Sequence, residues 1–255
     1  MENEIEQAVL RVVRSMHENL SEQITIDDMA RTAMFSKFHF SRVFQRVTGL
    51  SPGRFLSAVR LQEAKRLLAS TTLTVTDISH RVGYSSVGTF SSRFTSSVGV
   101  SPSRYRQLES VTPQIFVEGR PVTSGTRSVT VRGAISSPLK DRPVFAGLFP
   151  DRILEGRPVS YTVLPEPGPY VLEDVPPGEW HLIAQSVAAG HEDAVNHAPG
   201  GDEALCIGRH GPITVRLDTE TKLADVQLRP MRPLDPPVLL ALRDLLFAGT
   251  ARRTG

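Results

Sequence analysis

Cysteine is nearly missing from this chain. Cys206 is the only one in 255 residues, so no disulfide can form within the chain. Long apolar runs are missing too. None approaches the roughly 20 residues needed to span a bilayer, which argues against a membrane protein. Neither sign of charge dominates, with 29 Lys and Arg against 27 Asp and Glu. The stretch Met1–Glu6 is acidic and lacks a basic-then-apolar targeting signal, so a cytoplasmic protein is expected. The groupings that do chemistry are also lacking. There is no pair of acids and no Ser–His arrangement suited to catalysis. His191, Glu192, Asp193, His197 and His210 lie in a Gly-rich stretch without tight ligand spacing, and read as surface loop rather than a metal site. Cys206, between Leu205 and Ile207, reads as an inward-facing strand residue, not a nucleophile. No enzymatic activity, metal or cofactor is therefore expected.

What is present is unevenly placed. Residues 1–110 carry 14 basic and 10 acidic side chains, and the remainder carries 15 and 17. A basic front half suits phosphate contact, although so small an excess decides little. The length suggests two domains. The front half also contains a repeat. Phe40-Ser41-Arg42-Val43-Phe44 leads to Gly49-Leu50-Ser51-Pro52, and about 50 positions later Phe90-Ser91-Ser92-Arg93-Phe94 leads to Gly99-Val100-Ser101-Pro102. A fixed period marks a duplicated supersecondary unit. Each copy reads as helix, tight turn, helix, glycine stop and Ser-Pro restart.

The helix boundaries follow from capping chemistry. Thr25 with Asp27 and Asp28, Ser36, Ser51-Pro52, Thr74 with Asp77, and Ser85 or Ser86 each open a helix. Gly49 and Gly99 stop helices, and Gly83 supplies a tight turn. In Ser36–Thr48, Phe40, Val43, Phe44 and Val47 form the packing stripe. Lys37, Ser41, Arg42, Gln45 and Arg46 point elsewhere. Phe38 reads equally as an exposed aromatic or a half-buried wedge. The helix opened by Ser51-Pro52 runs to about Ala69, roughly 27 Å at 1.5 Å per residue. On it, Arg60, Lys65 and Arg66 read as solvent-facing charges. The DNA major groove admits one α-helix, and two helices reading successive turns from one side sit about 34 Å apart. This geometry points to double-stranded DNA.

Ser36-Lys37-Phe38-His39-Phe40-Ser41-Arg42-Val43-Phe44, Arg60-Leu61-Gln62-Glu63-Ala64, and Val82-Gly83-Tyr84 through Ser101-Pro102-Ser103-Arg104-Tyr105-Arg106 resemble the DNA-binding domain of the AraC/XylS family of bacterial transcription regulators. The resemblance covers residues of about 20–107. It implies seven helices, two helix-turn-helix units, promoter binding and contact with RNA polymerase. Carried over by position, it assigns base reading to Phe38, Ser41 and Arg42, and to Val87, Gly88, Ser91 and Ser92. Lys37, Gln45, Arg46, Ser86 and Arg93 complete the candidate DNA-binding set. Three departures from the family stand out. Ser92 stands where Arg is usual, Thr95 where Lys is common, and Ala33-Met34 where Gly-aromatic is preferred. The second reading helix therefore lacks long donors, and Arg93 lies one residue late, about 100° around the helix.

Residues 111–127 read as a Pro/Gly/Ser/Thr-rich linker. Residues 128–232 hold seven short β-type runs: Ser128–Ile135, Pro143–Phe149, Val159–Leu164, Tyr170–Asp174, Trp180–Ser186, Ile213–Leu217 and Asp225–Arg229. They suggest a β-sandwich. Val131-Arg132-Gly133-Ala134-Ile135, Gly168-Pro169-Tyr170-Val171-Leu172 and Pro176-Pro177-Gly178-Glu179-Trp180 resemble the transthyretin-like or carboxypeptidase-regulatory-like fold, which implies no particular ligand. Trp180 reads as core or as the floor of a pocket. In residues 233–255, Val238, Leu239, Leu242, Leu245 and Leu246 have helical spacing, so a terminal helix is expected, docked on its own domain or on a second subunit. The expected whole is a multidomain chain, an all-α double helix-turn-helix domain before an all-β sandwich and a short C-terminal helix. It acts as a sequence-specific transcriptional regulator. The back half senses a small-molecule effector, forms a homodimer, or is a DNA-tethered binding or enzymatic module without ligand control.

Overall fold

The computed structural model describes residues 2–108, 129–189, 205–216 and 221–240. The helical region begins with α1 (Glu2–Glu18), α2 (Ile26–Ala33) and α3 (Lys37–Thr48). The long α4 (Pro52–Ser70) follows, then α5 (Val75–Arg81), α6 (Val87–Val98) and α7 (Pro102–Leu108). α2 and α5 start with the same device. Thr25 Oγ1 accepts from the Asp28 N–H at 3.2 Å while the Asp28 carboxylate accepts from the Thr25 N–H at 3.0 Å. Thr74 and Asp77 repeat this at 3.1 and 3.3 Å. Each box satisfies two N–H groups that a helix start otherwise leaves open. α3 and α6 both end on glycines with positive φ, Gly49 and Gly99, whose N–H groups bond to Gln45 O and Thr95 O.

Between α5 and α6 the turn rests on Gly83, with φ 81°. A β-carbon there would lie 2.2 Å from the carbonyl oxygen of Leu20 and 2.7 Å from the Arg60 guanidinium. Gly83→Ala is expected to cost about 1–3 kcal/mol, because a backbone oxygen has to move. Chemical denaturation of the full chain measures it, and a neutral result would contradict this packing. In the first unit the left-handed turn position is filled by Met34, with φ 58°.

The helices share one core. Phe40, Phe44, Phe55, Phe90 and Phe94 are fully buried in it, with Val9, Val12 and Met16 of α1 and Leu61, Ala64 and Leu68 of α4. Edge-on ring contacts at matching places in the two units link Phe44 to Phe55 and Phe94 to Tyr105.

The second region is β-rich. Its strands are β1 (Val129–Ser136), β2 (Val144–Phe149), β3 (Ser160–Leu164), β4 (Pro169–Val175), β5 (Gly178–Val187), β6 (Leu205–Val215), β7 (Thr221–Leu223), β8 (Val226–Gln227) and β9 (Arg229–Pro230). One sheet has the order β4-β1-β7, with β8 also paired to β1; the other has the order β3-β2-β5-β6-β9. Val131, Ile135 and Leu172 of the first sheet share a core with Val144, Leu148, Leu182 and Cys206 of the second. Trp180 packs at the margin of this core, and its indole N–H donates to Pro176 O at 2.9 Å.

The centre of the five-stranded sheet, β2 and residues 182–187 of β5, is buried on both faces. In β2, Val144, Ala146 and Leu148 face the other sheet while Phe145 and Phe149 face away. In β5, Leu182 and Ala184 face in while Ile183 and Val187 face out. A strand covered on both sides loses its polar face and reads as continuous apolar sequence. The outward cluster is covered by Leu154, Met231, Val238 and Leu240.

Two expectations need correction. Residues 234–240 form no helix. Pro236-Pro237 supplies no N–H groups, and the N–H groups of Leu239 and Leu240 both donate to Leu154 O at 3.0 Å instead of to a helical carbonyl. This extended strap packs on its own chain; residues 241–248 of the expected helix lie outside the described residues. The strand expected at Ile213–Leu217 begins much earlier, at Leu205. The expected linker 111–127 and His191, Glu192, Asp193 and His197 also lie outside the described residues.

Candidate nucleic-acid interface

α3 presents polar and cationic side chains, with Phe38, along the side opposite its buried Phe40 and Phe44. Lys37, Phe38, Arg42, Gln45 and Arg46 are exposed, and Ser41 is half-buried. Phe38 is 82% exposed, so the wedge reading fails and the ring stands free in solvent. Ser41 Oγ donates to Lys37 O at 2.9 Å, which leaves its lone pairs available. Lys37 Nζ forms a 3.1 Å ion pair with Asp27, with both groups exposed. Such a pair is worth little in water and yields readily to a phosphate.

α6 occupies the matching place in the second unit but presents short side chains. Ser86 caps it through the Thr89 N–H, and Gly88 and Ser92 are exposed. Val87 and Ser91 are half-buried. Arg93 differs from the rest of the candidate set. It is half-buried and turned toward Glu155 of the β region, with 3.8 Å between Nη2 and Oε2.

That contact belongs to a junction that sequence reasoning missed. Residues 151–156 of the β region reach the helical region between α4 and α6. Glu155 accepts from Arg54 Nη2 at 2.6 Å and from Ser97 Oγ at 3.1 Å. Asp151 pairs with Arg54 Nη1 at 2.9 Å, and the Gly156 N–H donates to Ser97 O at 2.7 Å. Burial works against the Arg54 charge, but Glu155 and Asp151 outweigh it and hold the guanidinium above its ordinary range. The strap at residues 234–240 docks beside this segment. Ile153 and Leu239 insert into the helical core, while their neighbours Leu154 and Leu240 cover the sheet.

Lys65 is the clearest departure from the sequence reading. It is 1% exposed rather than solvent-facing, and its Nζ donates to Val238 O at 3.0 Å. The ammonium lies 5.9 Å from the Tyr105 ring centroid. Arg60 is half-buried and donates to Glu22 O at 2.7 Å, and Arg66 forks onto Glu63. No sequence signal marks Lys65, because its acceptor lies 173 positions away. Among the described residues there is no metal-binding cluster of His, Cys, Asp or Glu, and no helix is long and apolar enough to cross a membrane.

Comparison with known proteins bears on the helical region. The family described as "Helix-turn-helix domain" matches residues 29–108. The HTH-type transcriptional activator AarP of Providencia stuartii is 35% identical over 88 residues, which are 34% of this chain and 65% of AarP. The lactose operon transcription activator of Staphylococcus xylosus is 30% identical over 107 residues, 42% of this chain and 38% of that protein. The chain thus spans less than two thirds of these relatives. Among solved structures, the DNA-binding domain of the global transcriptional factor AdpA, in complex with a target DNA, is 31% identical. That match covers 39% of this chain and 89% of that one, with a TM-score of 0.38.

Proposed function

We propose that the N-terminal region is an AraC-family helix-turn-helix domain and that the chain is a transcriptional regulator that reads two successive major-groove segments of a promoter. The observation that carries this is the exposed face of α3, with Lys37, Phe38, Arg42, Gln45 and Arg46, repeated in position though not in chemistry by α6. Arg42 forks onto guanine O6 and N7, and Phe38 rests on a thymine methyl. Lys37, Gln45 and Arg46 reach phosphates or base edges. In the second unit Ser86, Val87, Gly88, Ser91 and Ser92 offer few long donors, so α6 contributes backbone contacts and shape readout. Arg93, turned to Glu155, serves the junction in this reading.

The two sheets are read as a sandwich that senses an effector or pairs subunits. The junction favours a role that acts on the helical domain over a loosely tethered module. An effect transmitted this way is typically worth about 1–3 kcal/mol. RNA polymerase is the expected protein partner of the promoter-bound form.

Selection of bound duplexes from a random pool, followed by footprinting, tests the DNA reading. The expected footprint from one chain covers two segments about one helical turn apart, roughly 10 base pairs. Affinity should fall steeply with salt as phosphate counterions are released. Selection without any enriched sequence overturns the proposal.

A further inference from the structure

We propose that the β region binds a small ligand bearing a carboxylate or phosphate group, held by Arg209 and Arg229 on the outward side of the five-stranded sheet. A cavity of about 390 Å³ opens there, lined by Ile207, Gly208 and Arg209 of β6, with Gln227 and Arg229 beyond them. That volume lies within the range of small-molecule sites.

The charge around it is unbalanced. The Arg209 side chain is 25% exposed and has Asp235 at 3.9 Å. Its Nε is buried with no acceptor. Asp235 is already committed elsewhere: its carboxylate takes both guanidinium arms of Arg229 at 2.7 and 2.8 Å and the Arg232 N–H at 2.8 Å. Burial and the nearby charges of Arg229, Arg152 and Arg232 all press against the charge on Arg209, and Asp235 opposes them. Arginine does not escape such a setting by losing its proton. Two guanidiniums, Arg209 and Arg229, thus share one carboxylate beside an open cavity, and Arg152 and Arg232 add positive charge around Arg209. An oxyanion supplies the missing charge, and the fork geometry of arginine suits carboxylate and phosphate alike.

The site is tied to the junction. Asp235 anchors the turn that begins the strap, and Val238 and Leu239 of that strap engage Lys65 and the helical core. An anion that draws Arg209 or Arg229 away from Asp235 loosens the anchor. As the input arm of the regulator the site rests on the DNA-binding reading; as a ligand site it does not.

Calorimetric titration of the full chain, without DNA and at constant ionic strength in chloride, separates the two. Inorganic phosphate and succinate are the probes. Saturable heat with phosphate assigns phosphate esters, and saturable heat with succinate assigns carboxylates. Arg209→Gln is expected to weaken binding by about tenfold or more, the value of one lost charge-assisted bond. Asp235→Asn removes the internal competitor and is expected to tighten binding, which tests the site even if the Arg209 variant fails to fold. Flat titrations with both probes, or affinities unchanged in both variants, overturn the proposal and leave the DNA reading intact. Failed promoter binding, in turn, leaves a positive titration standing.

Discussion

Leu239→Ala is expected to destabilise the whole chain by about 2–5 kcal/mol, the range for removing a buried leucine. Leu239 is 0% exposed and belongs to the helical core, although it follows the β region in sequence. Its N–H and that of Leu240 share Leu154 O, so the strap and the 151–156 segment form one wedge between helices and sheet. A cavity at its tip removes dispersion contacts on the helical side and loosens the seat of Val238, whose carbonyl satisfies the buried Lys65 ammonium. Two consequences follow in thermal unfolding followed by circular dichroism. The midpoint falls, and the melting of helix separates from the melting of sheet. Leu223→Ala is the control, since Leu223 is 73% exposed and its loss should stay within about 0.5 kcal/mol. If both variants melt alike, the wedge does not couple the two regions.

Arg42→Ala is expected to weaken binding to the selected duplex by about 1–3 kcal/mol, or 5- to 150-fold, and to relax the base preference at one position. Arg42 is exposed on α3 and takes part in no ion pair among the described residues, so its loss costs the free protein little. Ser92→Ala, at the matching place on α6, is expected to change affinity less than about threefold, because a lost hydroxyl contact to backbone is worth about 0.5 kcal/mol. Fluorescence anisotropy at one fixed salt concentration measures both. The reverse order, with Ser92 essential and Arg42 dispensable, would place specificity in the second unit and sink the asymmetry.

Much of the helical region is legible in the chain itself because its determinants are local. A Thr–Asp box four residues long starts α2 and α5, and single glycines end α3 and α6. The phenylalanine stripe of each unit follows from helical period alone. The exposed face of α3 is what remains once that stripe is buried, which is why Lys37, Arg42 and Arg46 were identifiable as candidates. The β region is legible where apolar runs are short and bounded, as in β2 and β3. It fails at β6, where Gly208, Arg209, His210, Gly211 and Pro212 break every strand pattern, yet Gly208, Arg209 and His210 pair with β5 and Gly211-Pro212 fall at a register shift in that pairing.

The sequence by itself determined where the helices of the helical region begin and end, that the two units share a scaffold, and that their candidate reading residues differ. Only the tertiary structure decided which charges are buried or half-buried. Lys65, Arg93 and Arg209 resemble surface residues by type and spacing. Val238, Glu155 and Asp235 make them something else, and no local pattern brings these residues together. The physical reason is the cost of burying charge. A lone ammonium or guanidinium removed from water is strongly unfavourable, so its position depends on a partner that chain folding alone delivers. The same reasoning separates the two ends of the strap. Its leucines promised an apolar helix, but Pro236-Pro237 and the carbonyl of Leu154 made it an extended bridge between the helical region and the sheet.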